Sequence, residues 1–144
     1  MHTISETELT ADNILSLLAD ASIEAQLGPE GTNSAVATVN DFTVIVEVYP
    51  EPQIVRVWTA MPLDPEKHQF EHFLTDTNRF NTTFLSIRNF VFQDPDDSAN
   101  FQIVWDYDRL VGSEGLSSEM LARMISRLTG TIAQAFARND SEPN

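Results

Sequence analysis

A chain of 144 residues, 42% of them hydrophobic, is long enough for one two-layer core and too apolar to be wholly disordered. Its 22 acidic and 8 basic residues give a net charge of −14, a field that repels nucleic acid and anionic lipid headgroups and suits basic or apolar partners. The absence of cysteine excludes disulfides, thiolate zinc sites and cysteine nucleophiles together.

Residues 1–9 are polar and are expected to form a flexible N-terminus. The opening MHTISETELT carries no basic region and no apolar run, so it does not read as a signal peptide. No apolar segment approaches the roughly 20 residues that span a bilayer, and a cytoplasmic chain without membrane attachment is expected. Thr10 reads as the N-cap of a first helix reaching about Ser22, with Ile14, Leu17, Leu18 and Ala21 at helical spacing and Leu15 beside them. Gly28, Pro29 and Gly31 mark a loop over Ile23 to Asn33, within which a short strand over Ile23 to Leu27 fits. Ala35 to Val39 reads as a strand that turns at Asn40 and Asp41.

Phe42 to Met61, FTVIVEVYPEPQIVRVWTAM, is the stretch around which the rest is organised. Alternation puts Phe42, Val44, Val46 and Val48 on one side of the first strand and Ile45 and Tyr49 on the other. In the second strand Ile54, Trp58 and Ala60 share one face, and Val55, Val57 and Met61 the other. Pro50 and Pro52 flank the turn, where a missing backbone donor does least harm. Both faces carry apolar groups, so both need cover. One is assigned to the chain's own helices and the other to a contact surface.

Asp64-Pro65 starts a second helix, with Phe70, Phe73, Leu74, Thr77 and Phe80 on one stripe. Two more strands follow, Phe84 to Phe92 and Asn100 to Tyr107, joined by QDPDDSA. In the latter, Phe101, Ile103, Trp105 and Tyr107 make an apolar face, and Gln102, Asp106 and Asp108 read as its solvent side. Ser117 or Ser118 caps a last helix striped by Leu121, Met124, Ile125, Leu128, Ile132 and Phe136, and Gly130 weakens that helix midway. The order α-β-β-β-α-β-β-α predicts the α+β class: an antiparallel sheet of about five strands with helices packed on one face. One domain is expected over residues 10–138, with a disordered tail at 139–144.

The segment Phe73 to Phe92, FLTDTNRFNTTFLSIRNFVF, carries a family resemblance. A short helix ending in the spaced Asn78 and Asn81, an aromatic-rich strand pair and a capped C-terminal helix resemble the YbjN family, bacterial proteins proposed to regulate sensory transduction. The resemblance spans roughly residues 10–138 and rests on element order and a loose N-R-F-N motif. That family is similar in fold to the type III secretion chaperones, which are small, acidic, cytosolic homodimers. The resemblance implies a non-enzymatic regulatory or chaperone-like role and carries over no catalytic residue. Read on their own, Asn78 and Asn81 are helix neighbours that suit a helix C-terminus, with Arg79 as its C-terminal cation.

His68, Glu71 and His72 match the H-x-x-E-H pattern of inverted zinc proteases, with two histidines one turn apart for one metal and a glutamate for general base. The helix stripe turns all three toward solvent, and no third ligand stands out beyond the downstream acids Glu119 and Glu142. Adventitious metal at His68, His72 and Asp76 fits better than catalysis. Asp94, Asp96, Asp97 and Ser98 imitate a calcium loop, yet Ala99 stands where glycine is required and Trp105 where the bidentate glutamate belongs. Ordinary turn chemistry accounts for them. The stretches from Gly28 to Gly31 and from Gly112 to Gly115 match no phosphate-binding loop, and no G-x-S-x-G elbow exists. The expectation is therefore a protein-binding module with no catalytic residue, cofactor or resident metal. Trp58, Phe90, Phe92, Tyr49 and Met61 are its candidate contact residues, with a homodimer or a protein partner as occupant. A small-ligand sensor with a cavity between sheet and helices is the alternative reading, and a zinc-dependent hydrolase the remote one.

Overall fold

The computed structural model describes residues 2–63, 87–97 and 101–141, as backbone alone from 136 onward. The elements are β1 (Thr3–Ile4), α1 (Ala11–Asp20), β2 (Ala25–Leu27), β3 (Ser34–Val39), β4 (Phe42–Tyr49), β5 (Ile54–Leu63), β6 (Arg88–Gln93), β7 (Phe101–Leu110), β8 (Leu116–Ser117) and α2 (Ser118–Ser141). The helix expected from Asp64, with its aromatic stripe, its histidines and the two asparagines, lies outside the described residues, as do 84–86 of the strand expected from Phe84.

The main sheet has six strands in the order β2-β3-β4-β5-β7-β6, every neighbouring pair antiparallel. β2 to β5 form a meander. β7 then inserts beside β5, and β6 lies outside it, so the last hairpin folds back onto the first. The fold is α+β, as the element order predicts. Asn40 and Asp41 both take left-handed backbone (φ 51° and 69°), the geometry of a two-residue hairpin turn between β3 and β4.

Register decides the layers. Val46 faces Val57 across β4–β5, and Val57 faces Tyr107 across β5–β7, so the valines of both hairpin strands point the same way. That inner face buries Ala35, Val44, Val46, Val48, Val55, Val57, Ile103 and Trp105. α1 covers it with Ile14, Leu17 and Leu18, and α2 with Leu121, Met124, Ile125, Leu128 and Ile132, all in one cluster with the strand residues. At roughly 25 cal/mol per Å² of apolar area, each of these side chains contributes about 1.5–3 kcal/mol.

Both helices start where their caps are. The Thr10 hydroxyl accepts a hydrogen bond from the Asn13 N–H (3.2 Å), and the Ser117 hydroxyl accepts one from Met120 (3.1 Å). α1 stops at Asp20, before Ser22, whose φ of 60° cannot continue a helix. α2 runs unbroken past Gly130 to Ser141, into the stretch expected to be a disordered tail.

The polar start of the chain forms structure instead of fraying. Thr3 and Ile4 pair with Ser117 and Leu116, and Ile4 and Leu9 are buried in the core. A two-residue strand is too short for a periodic signal, and its partner is more than a hundred positions away. Gly115 is required there: its φ is +75°, and a Cβ would stand 2.3 Å from the Ile4 carbonyl oxygen. Asp20 ties the corner together, accepting hydrogen bonds from the His2 N–H (3.0 Å) and the Ser118 hydroxyl (2.6 Å).

Candidate functional site

The second face of the sheet is built from the alternate residues. Ile45, Glu47 and Tyr49 of β4 stand beside Ile54, Arg56, Trp58 and Ala60 of β5, then Gln102, Val104, Asp106, Asp108 and Leu110 of β7. Arg88, Phe90 and Phe92 of β6 complete the rows. Trp58 faces Asp106, which faces Arg88; Arg56 faces Asp108 one row along.

This arrangement corrects the reading of Asp106 as solvent side: its side chain is 0% exposed. Two arginines from the flanking strands enclose it. Arg88 donates from Nε to Oδ1 (2.9 Å) and from Nη2 to Oδ2 (2.7 Å), and Arg56 donates from Nη2 to Oδ2 (2.7 Å). Arg88 Nη2 also reaches Asp108 (3.0 Å), and Arg56 Nε lies 3.7 Å from the same carboxylate. A buried carboxylate is tolerated only with such charge-assisted, partly bidentate bonds.

The electrostatics follow the geometry. Burial, then the neighbouring Asp106 charge, pushes the Asp108 carboxyl above the ordinary range, while Arg88 and Arg56 oppose the shift. Burial works against the charge on Arg56, but Asp106, the Tyr49 hydroxyl and Asp108 outweigh it and keep the guanidinium firmly protonated. Arg88 is likewise raised, first through its hydrogen bonds to Asp106. The Tyr49 hydroxyl donates to Glu47, a bond that pushes its ionisation up, with burial adding to the effect. Trp58 Nε1 donates to the other Glu47 oxygen (2.8 Å), and the Arg56 guanidinium lies 5.8 Å from the Trp58 ring centroid.

Around this charged centre stand exposed apolar side chains: Phe90 (36%) and Phe92 (46%) toward one end, Tyr49 (39%) and Leu110 (68%) toward the other. Four of the candidate contact residues, Tyr49, Trp58, Phe90 and Phe92, therefore share one face. Met61 pairs with Ile103 on the inner face and packs against the core, so it does not join them.

The carboxylate oxygens of Asp106 are occupied by arginine donors, which leaves them poorly suited to general acid–base work. The face is a sheet surface on which Arg56 and Arg88 are paired with Asp106 and Asp108, Glu47 accepts from Tyr49 and Trp58, and the rim is apolar. His68, Glu71 and His72 lie outside the described residues. Asp94 accepts a hydrogen bond at Oδ1 from the Asp96 N–H (2.9 Å), a local Asx turn, and Ser98 lies outside the described residues. Among the described residues no group of three or more histidine or acidic side chains is placed to hold a metal, and no helix there is long and apolar enough to cross a membrane. Sequence reasoning missed Arg56 and Arg88 as partners of Asp106. The only local signal was an Asp-x-Asp strand, since the pairing depends on register.

No family model matches this chain, and no curated protein sequence does. Solved structures match in fold. YbjN from E. coli, described as a proposed transcription regulator, superposes with a TM-score of 0.69 at 13% identity, covering 90% of each chain. An uncharacterized protein from Methanothermobacter thermautotrophicus superposes with a TM-score of 0.61 at 12% identity, covering 88% of this chain and 94% of that one. The chain has a YbjN-like fold.

Proposed function

We propose that this chain is a non-enzymatic regulatory or chaperone-like module of the bacterial cytoplasm that binds a segment of a partner protein on the outer face of its sheet. The observation that carries the reading is the grouping of exposed Tyr49, Phe90, Phe92 and Leu110 around half-buried Trp58 on a face that α1 and α2 do not cover. The description of YbjN as a proposed regulator of transcription supports a regulatory role. The net charge of −14, with Glu47 and Asp108 on the face itself, favours a partner segment that combines apolar anchors with basic residues. A second copy of the chain is the other occupant the aromatic rim suits.

Affinity capture from the source cells with the tagged chain, followed by mass spectrometry, tests this reading beside sedimentation of the purified protein. One dominant partner, or a dimer, that is lost in a folded Phe90→Asp/Phe92→Asp variant supports it. A monomer that captures nothing, or a partner retained by that variant, overturns it.

A further inference from the structure

A second feature lies on the helical side of the molecule, away from the aromatic face. A cavity of about 320 Å³ opens between the end of β7 and the first turns of α2. Met120, Arg123, Met124 and Arg127 line it from one helix stripe, spaced i, i+3, i+4 and i+7, and Arg109 approaches from β7. Glu119 and the N-capping Ser117 complete the wall.

The charge here is opposite to that of the molecule. Three arginines against Glu119 leave a local surplus of +2 (3 − 1) in a chain whose net charge is −14. Arg123 pairs with Glu119 (2.6 Å), whereas among the described residues Arg109 and Arg127 engage no carboxylate. The other arginines whose side chains are described, Arg56 and Arg88, are held by Asp106 and Asp108 on the far face. Uncompensated positive charge on the described surface is thus concentrated around one concavity. Like charges gathered there repel until a counter-anion enters, and guanidinium forks match the oxygens of phosphate.

We infer that this cavity is a binding site for a small organic phosphate, a phosphomonoester carried on an apolar body. A phosphomonoester bears about −1.5 to −2 charges at neutral pH, which matches the surplus. The Ser117 hydroxyl accepts from the Met120 N–H, so its own proton can turn to a phosphate oxygen. Met120 and Met124 supply a polarisable apolar wall for the rest of the ligand. The site makes the chain responsive to a phosphorylated metabolite and does not depend on the outer-face reading.

Isothermal titration of the full chain at constant ionic strength, with phenyl phosphate, inorganic phosphate and benzoate as probes, tests the inference. Phenyl phosphate is expected to bind saturably at one site and more tightly than either other probe, and to weaken as pH falls below the second phosphate ionisation near about 6. Arg109→Gln and Arg127→Gln, both at exposed positions, are each expected to weaken it about tenfold or more, while Phe92→Asp on the outer face leaves it unchanged. Absence of saturable phenyl phosphate binding at millimolar concentration, unchanged affinity in both arginine variants, or benzoate binding as tightly would each overturn it. None of these results bears on partner binding by the aromatic face.

Discussion

Asp106→Asn isolates what the outer-face network contributes to stability. Asparagine keeps Oδ1, so the bond from Arg88 Nε survives, but it places an NH₂ where Oδ2 accepted from both arginines. Two charge-assisted hydrogen bonds are lost, each worth about 1.5–3 kcal/mol, and donors are set against donors. Water recovers part of this, because the Arg88 side chain is 63% exposed and that of Arg56 26%. The expected loss is therefore about 3 kcal/mol, a large share of the roughly 5–15 kcal/mol that holds a domain folded. Urea unfolding at neutral pH measures it as a lower midpoint with an unchanged slope. Arg88→Met, made both in the wild type and on top of Asp106→Asn, closes a double-mutant cycle. In the wild type it leaves a fully buried carboxylate to Arg56 alone, so the two changes are expected to couple by at least about 1 kcal/mol. A loss below about 1 kcal/mol for Asp106→Asn, or an additive cycle, would refute the account of Asp106 as a buried charge held by two arginines.

Gly115→Ala forces a Cβ against the Ile4 carbonyl in left-handed backbone and should cost about 2–4 kcal/mol, read as a fall in thermal midpoint; a neutral result would mean that β1 does not pair with β8. Leu128→Ala empties a site of 0% exposure between α2 and the sheet and should cost about 2–5 kcal/mol in the same assay. The hydrogen bond from Ser118, then that from the His2 backbone, lowers the Asp20 carboxyl, so its stabilisation is full above the ordinary aspartate value and fades as pH falls through the lowered one. Acid titration of stability should accordingly be shallower in Asp20→Asn than in the wild type. Tyr49 is shifted the other way, mainly by Glu47; its contribution holds below the ordinary tyrosine value and is lost as pH rises through the raised one, a loss that Tyr49→Phe should abolish in an alkaline titration.

Local rules carried the meander, the helix caps and the division of the hairpin into two faces, because each rests on neighbours in sequence. Thr10, Asn40-Asp41 and the valine alternation needed nothing beyond a few adjacent positions. The burial of Asp106 could not be read that way. Period-two alternation places it opposite Trp105, but whether that side is wet depends on Arg56 and Arg88, which lie 50 and 18 positions away and reach it only through strand register. The same limit hid β1, where polar neighbours outweighed Ile4 and Leu9. The arginine-lined cavity escaped for a related reason: Arg123 and Arg127 share a visible helix stripe, but Arg109 joins them only once β7 lies under α2.

The topology also sets a timetable for the chain as it leaves the ribosome. β2 to β5 pair with immediate neighbours and can form as soon as residue 63 has emerged. Their inner face, with Val44, Val46, Val55 and Val57 all at 0% exposure in the finished fold, is covered over β2 to β4 by α1, which is made first, and over β5 and β7 by α2, which begins only at Ser118. β7 must meanwhile be inserted against β5 by pairing Leu110 with Ile54, far back along the chain. For much of its synthesis, therefore, the half-made protein presents a valine-rich sheet with only the α1 half of its cover. Slow translation or delayed arrival of α2 should favour self-association at this stage.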